Sequence, residues 1–370
     1  MNLRIFIFLL PLVFVSCKKD SVTKEEEPET NTDSSLYFPP VGSSEWMRIA
    51  PETLGNNIAE IEKLKTFLET NNTRAFILLK DGKIVLEEYF GQNITQTAAF
   101  ISESPWYWAS AGKTITATLT GIAQQEGKLS IEDKTSDYLG TDWTSLNTEQ
   151  EARITVSHQL TMTTGLDFQV DNIDCTEPSC LQYKNDPGTI WYYHNAPYTL
   201  LEKVIESATA MDYNEYTSNK LGDRIGMSGR WIKSGYNNVY WSTARDMARF
   251  GLLMLNQGVW DENEMIVNKE YFEEMTSTSQ SLNPSYGYLW WLNGKSSIIL
   301  PSLSTSFNTS LSTNAPTDLR AGMGKNGQFV EIVPSQNIVV VRMGEAPDGS
   351  LVPVVFHDQM WEHINEVINP

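Results

Sequence analysis

Trp106-Tyr107-Trp108-Ala109-Ser110-Ala111-Gly112-Lys113-Thr114 places a serine one helical turn before a lysine, at the head of an apolar, small-residue segment. Residues i and i+3 of a helix share a face, about 5–6 Å apart. A hydroxyl and an amine held that way can act as nucleophile and base without a histidine. The start of a helix adds unpaired N–H groups and a positive dipole end beside the serine oxygen. Spacing alone is a weak signal, because Ser16-Cys17-Lys18-Lys19 and Ser21-Val22-Thr23-Lys24 carry it too. Ser110 differs in its context. It follows an aromatic cluster, and Ile115, Leu119 and Ile122 continue a helical stripe that closes near Gly127. The plain alternative is the polar start of a buried helix.

Upstream, residues 1–16 resemble a leader: Arg4, then an apolar run from Ile5 to Val15 interrupted by Pro11. The run is too short to span a bilayer comfortably. Val15-Ser16-Cys17 resembles a bacterial lipobox, which makes Cys17 the lipidated residue. An ordinary secretory signal followed by a chance cysteine is the competing reading. From Lys18 to about Ser35 almost nothing is apolar, and such a stretch cannot bury enough surface to order itself. Residues 17–45 are therefore expected to be a flexible acidic tether. The folded part is expected over 46–370, held at the cell envelope by a lipid anchor, with the outer membrane as its expected site.

The net charge of −19 and the lack of any basic stripe exclude nucleic acid as a partner. Cys175 and Cys180 lie close together, and an exported chain meets an oxidising compartment, so a small disulfide-closed loop is expected. No His or further Cys sits at ligand spacing, so no metal and no cofactor is expected.

Along the folded part, Ile58, Ile61, Leu64 and Leu68 mark an amphipathic helix. Ala75–Leu79 and Ile84–Phe90 read as strands joined through Asp81-Gly82. Thr243 with Asp246 resembles a capping box, and Met247, Phe250, Gly251 and Met254 continue at helical spacing. Strand character returns at Tyr288–Leu292, Phe329–Val333 and Ile338–Met343. Phe356, Met360, Ile364 and Val367 then mark a terminal helix. The pattern predicts an α+β fold: one antiparallel sheet from both chain ends, flanked by terminal helices, with a mostly helical inserted subdomain. Residues 46–105 and 285–370 form the α/β part, and 106–284 the helical part.

A free lysine holds its proton to about pH 10.4, so the base role needs burial or a neighbouring positive charge. A nearby tyrosine could share the proton. Y-x-N occurs at Tyr183, Tyr193 and Tyr236, and spacing does not choose between them. Context favours Tyr193-His194-Asn195: a turn at Pro187-Gly188-Thr189 and bulky Trp191 and Tyr192 precede it, and a helix follows. K-x-G occurs at Lys80, explained by a hairpin turn, and at Lys325-Asn326-Gly327 in a glycine-rich entry to a strand. There the Gln328 N–H could join that of Ser110 as an oxyanion donor. Plain aromatic packing and a plain strand entry are the alternatives. His158 and His194 read as structural, and His357 and His363 as faces of the terminal helix.

Ser110-x-x-Lys113, Tyr193-x-Asn195 and Lys325-x-Gly327, in that order, resemble the class C β-lactamases and the wider group of penicillin-binding-protein-like esterases, peptidases and aminohexanoate-oligomer hydrolases. The stretches Ile154–Leu166 and Trp241–Met247, with Gly327-Gln328 and Pro334, are similar to the same family. The resemblance implies the β-lactamase/transpeptidase-like fold. It makes Ser110 the acyl-accepting nucleophile and Lys113 its base, with Tyr193 in proton transfer. Asn195 would orient substrate, Lys325 would add charge, and the N–H groups of Ser110 and Gln328 would hold the oxyanion. One departure is K-N-G where class C β-lactamases have K-T-G, so Asn326 lacks the hydroxyl and good β-lactam turnover is in doubt. The expected function is an envelope-anchored serine hydrolase that cleaves a small ester, amide or peptidoglycan-like substrate. The alternatives are a β-lactamase or D,D-peptidase, and a non-catalytic penicillin-binding-type sensing module.

Overall fold

The computed structural model describes residues 36–50, 58–261 and 264–368. The leader, Cys17 and residues 18–35 of the tether lie outside the described residues. Residues 36–44, assigned to the tether, are tied to the fold instead. The Tyr37 N–H donates to the Asp81 carbonyl, and Phe38 meets the Trp260 ring edge-on. The Arg249 guanidinium donates to the carbonyls of Pro39, Pro40 and Ser43. The domain therefore starts ahead of residue 46, because these backbone carbonyls find a buried cation.

Thr73–Lys80 (β1) and Lys83–Tyr89 (β2) form the expected hairpin. Asp81 and Gly82 both take left-handed φ values, 51° and 77°, which matches the twist of a two-residue turn. Further strands are Trp106–Tyr107 (β3), Arg230–Ser234 (β4), Asn237–Ser242 (β5), Val259–Trp260 (β6), Glu264–Met265 (β7), Trp291–Leu292 (β8), Arg320–Gly324 (β9), Gln328–Val333 (β10) and Ile338–Gly344 (β11). The main sheet runs β2-β1-β11-β10-β9-β8, antiparallel throughout, so both chain ends build it. β1, β10 and β11 are central strands covered on both faces, which is why they read as nearly unbroken apolar runs.

The helices Ile58–Thr70 and Val354–Ile368 pack together, with the Phe67 ring stacked 5.3 Å from that of Phe356. The fully buried Phe356 ring contributes roughly 1.5–3 kcal/mol, and the half-buried Phe67 less. From β10 beneath them, buried Glu331 accepts from Trp361 Nε1 at 2.8 Å and meets His357 Nε2 at 2.6 Å. His357 thus faces inward from the terminal helix, while His363 lies against Phe67.

The chain from 106 to 292 differs from its expected form in three ways. Helix Ala244–Leu255 starts on the Thr243/Asp246 capping box, but it packs on the main sheet: a Cβ on Gly251 would fall 2.5 Å from Val339 Cγ1 of β11. Its nearly all-round burial is that of a helix between two layers. Second, β3, β5 and β4 form a small sheet of their own within the region read as helical. Third, the strand expected over Tyr288–Leu292 shrinks to Trp291–Leu292. Leu289 has φ 61°, and its N–H goes to the Leu160 carbonyl rather than to a ladder.

Candidate active site

The aromatic cluster anchors the turn that carries Ser110. The Trp108 backbone N–H donates to the Tyr240 carbonyl and its Nε1 to Ser242 Oγ, both at 2.8 Å. The chain then turns sharply through Ala109 (φ 47°) into a 3₁₀ turn, Ala109–Gly112, ahead of the helix Lys113–Gln125. Ser110 therefore sits in 3₁₀ geometry, where i and i+3 eclipse rather than lean apart. Lys113 Nζ lies 3.2 Å from Ser110 Oγ and donates to it. The helix behind is buried from Lys113 to Ala123. Two of its threonine hydroxyls are satisfied inside it, Thr118 on the Thr114 carbonyl and Thr120 on that of Thr116.

Burial decides the lysine's charge. Lys113 is 3% exposed, and desolvation pushes its ammonium down to about 7, against a smaller upward pull from Asp174. Of the two devices open to the sequence, burial and a neighbouring cation, the structure uses burial. A sizeable free-base fraction at neutral pH follows.

Tyr193 is brought to this pair. Its ring centroid is 5.1 Å from Lys113 Nζ, and Ser110 lies near enough to act on its hydroxyl. Burial pushes the phenol up, with the Ser110 contact opposing. The ring stacks on Trp291 of β8 at 5.8 Å. The other two Y-x-N tyrosines are elsewhere: Tyr183 is half exposed and donates to Asp186, and Tyr236 is exposed between β4 and β5. His194 is kept neutral, pushed down to about 4 by burial, and His158 completes the capping box on Thr155.

Asn195 opens the short helix Asn195–Thr199, and its Nδ2 donates to Asp174 Oδ1 at 2.8 Å. Its buried Oδ1 has no hydrogen-bond partner among the described residues. Asp174 adjoins Cys175, which is disulfide-bonded to Cys180. Sequence reading missed Asp174 because no motif marks it. The only available signal was its place beside the cysteine loop.

The third motif is arranged differently from its expectation. Lys325–Gly327 is the turn of the β9–β10 hairpin, with Asn326 at φ 65° and Gly327 at φ 76°. Buried Arg342 donates to the carbonyls of Asn326 and Gly327 at 2.6 and 2.9 Å and holds that reversal. Asn326 Nδ2 donates to the Tyr107 hydroxyl at 2.8 Å. The Lys325 side chain is exposed, and no contact between it and Ser110, Lys113 or Tyr193 occurs among the described residues. Gln328 begins β10, inside the sheet between β9 and β11, and its side chain clasps the Gly344 backbone. The strand that meets the serine is β9 instead. A Cβ on Gly324 would fall 3.0 Å from Ser110 N and 2.6 Å from the Trp108 carbonyl oxygen. Backbone can approach that closely only at glycine.

The profile of the family described as "Beta-lactamase" matches residues 73–350. "Putative penicillin-binding protein PbpX" of Bacillus subtilis (strain 168) is 24% identical over 178 residues, 45% of this chain. That match spans less than half, 43%, of the relative's own length. Among solved structures, "Putative 6-aminohexanoate-dimer hydrolase from Bacillus anthracis" superposes with TM-score 0.65 at 18% identity, covering 87% of each chain. A family VIII carboxylesterase superposes with TM-score 0.63 at 14% identity, covering 83% of this chain and 97% of that one.

Proposed function

The chain belongs to the Beta-lactamase family and is a serine hydrolase of that fold, and from this premise we propose that it cleaves a small ester or amide through a Ser110 acyl-enzyme. The observation that carries the reading is the 3.2 Å contact between Ser110 Oγ and a buried Lys113 pushed down to about 7. Free-base Lys113 takes the Ser110 proton as Oγ attacks the carbonyl carbon. The charge on the carbonyl oxygen is met by the Ser110 N–H and by backbone at the Gly324 edge of β9. Collapse of the tetrahedral species breaks the ester or amide bond. The proton passes from the Lys113 ammonium through the Tyr193 hydroxyl to the leaving oxygen or nitrogen. Water then attacks the acyl group, giving its proton back along the same route, and Ser110 is restored. Asn195, fixed by Asp174, orients the substrate.

An Asn326 amide engaged by Tyr107, where β-lactam or D,D-peptide cleavage calls for a hydroxyl, favours this reading over those two. Val15-Ser16-Cys17 supports anchoring of the enzyme to the bacterial envelope through a lipid on Cys17. Labelling with a fluorophosphonate probe and mass mapping of the adduct tests the mechanism. The adduct is expected on Ser110 and absent from Ser110→Ala. Labelling that persists in the mutant overturns the assignment.

A further inference from the structure

Lys113 must carry a positive charge for part of each cycle, and its surroundings offer that charge little. Its Nζ has Ser110 Oγ at 3.2 Å on one side, with the Tyr193 hydroxyl beyond. The Asp174 carboxylate pulls from the disulfide loop, but its Oδ1 is engaged by Asn195. His194 is neutral. The nearest group on the remaining side is a ring: Lys113 Nζ stands 3.8 Å from the centroid of Tyr198, well inside the range for a cation over an aromatic face. The Tyr198 hydroxyl points into a different environment. It lies 3.4 Å from Thr116 Oγ1, which Tyr213 also contacts at 2.8 Å, with the carboxylate of Glu202 and the hydroxyl of Tyr286 near enough to act on these phenols. Both ends of Tyr198 are thus occupied, the face by the lysine and the hydroxyl by threonine.

We propose that the ring face of Tyr198, outside the three sequence motifs, is the seat of the Lys113 ammonium, and that Tyr198 is a positioning residue which acts on the reaction through that lysine. The proposal rests on reading Lys113 as the base. A π face suits this place for a chemical reason. It stabilises the cation formed when Lys113 takes the Ser110 proton, yet it neither accepts nor donates a proton and so does not compete with Tyr193. It also fixes the direction of Nζ without a hydrogen bond that would have to break in each cycle. The helix Asn195–Thr199 supplies the ring three residues after Asn195, so Tyr193 and Tyr198 both reach Lys113 from one segment, with Asn195 between them.

Truncation would be a poor test. A small cavity of about 10 Å³, lined by Tyr198 with Thr116, Glu202, Tyr213 and Trp231 among others, is already present, and a smaller side chain would enlarge it and admit water beside the lysine. The test keeps the shape and changes the ring's electrons. Wild type, Tyr198→Phe and Tyr198→3,4,5-trifluorophenylalanine are compared in the full chain. Two readouts are followed against pH: the ¹³Cε shift of Lys113, assigned with Lys113→Met, and the rate of fluorophosphonate labelling of Ser110. Tyr198→Phe should leave the Lys113 midpoint in place. Trifluorination, which removes most of the attraction for a cation, should lower it by about one pH unit, with the labelling profile following. If the trifluoro variant does not fold, the mono- and difluoro rings give points on the same line. Equal midpoints across the ring series overturn the proposal and leave Tyr198 as packing. A lowered midpoint in protein that no probe labels would sink the acyl-enzyme reading and keep the seat.

Discussion

Gly324 lies against Ser110 so closely that a Cβ on it would stand 3.0 Å from the Ser110 amide nitrogen. The strand edge and the turn that carries Ser110 are thus in close backbone contact, and the proposed oxyanion site would rest on that approach. Gly324→Ala should push β9 away, since the nearest obstacles are backbone atoms that cannot swing aside. The expected result is a 10²- to 10³-fold loss in acylation rate, about the effect of removing one oxyanion donor. A stability loss of about 1–3 kcal/mol should accompany it, as for overpacking. Stopped-flow acylation and thermal melts check both; an unchanged acylation rate would separate β9 from the chemistry.

The pH profile should follow the lysine. Activity requires free-base Lys113, so the acidic limb of kcat/KM should fall near pH 7. Asp174 stabilises the protonated form. Asp174→Asn keeps an acceptor for Asn195 but removes the charge, so the limb should move to lower pH. Lys325→Ala should leave the limb where it is, because its side chain is exposed on a hairpin turn. A rise of the limb in Lys325→Ala would return that lysine to the mechanism.

Burial of Lys113 works against stability. Unfolded, it protonates up to about pH 10.4; folded, only up to about 7. Between these values the unfolded chain binds the extra proton, so stability rises with pH across this window. Below about 7 the cost of burying the ammonium is full, on the order of a few kcal/mol. Lys113→Met should abolish turnover and yet raise the melting temperature. The gain should be largest at pH 6 and shrink towards pH 10. Denaturation at several pH values decides it; a uniform loss of stability would mean the ammonium is better satisfied than its surroundings suggest.

Cys17→Ser removes the only thiol of the lipobox-like segment. The mutant should accumulate unprocessed or leave the membrane fraction on cell fractionation. Processing and membrane retention equal to wild type would mean that an ordinary signal precedes the tether.

The sequence by itself carried the local chemistry. The Ser110–Lys113 spacing, the Asp81-Gly82 turn, the Thr243–Asp246 cap, the Cys175–Cys180 loop and the α+β layout were all legible. Each depends on residues close in the chain or on apolar periodicity, which neighbours and burial enforce. The tertiary structure alone decided which tyrosine reaches Ser110, because Tyr193 is chosen by its stacking on Trp291, nearly a hundred residues on. It alone left Lys325 exposed on the β9–β10 turn, a reversal held by Arg342 gripping the carbonyls of Asn326 and Gly327. It alone brought in Asp174 and Tyr198, which no spacing marks. And it alone set Lys113 near neutrality, because desolvation is a property of everything packed around an atom, and no short stretch of sequence contains that.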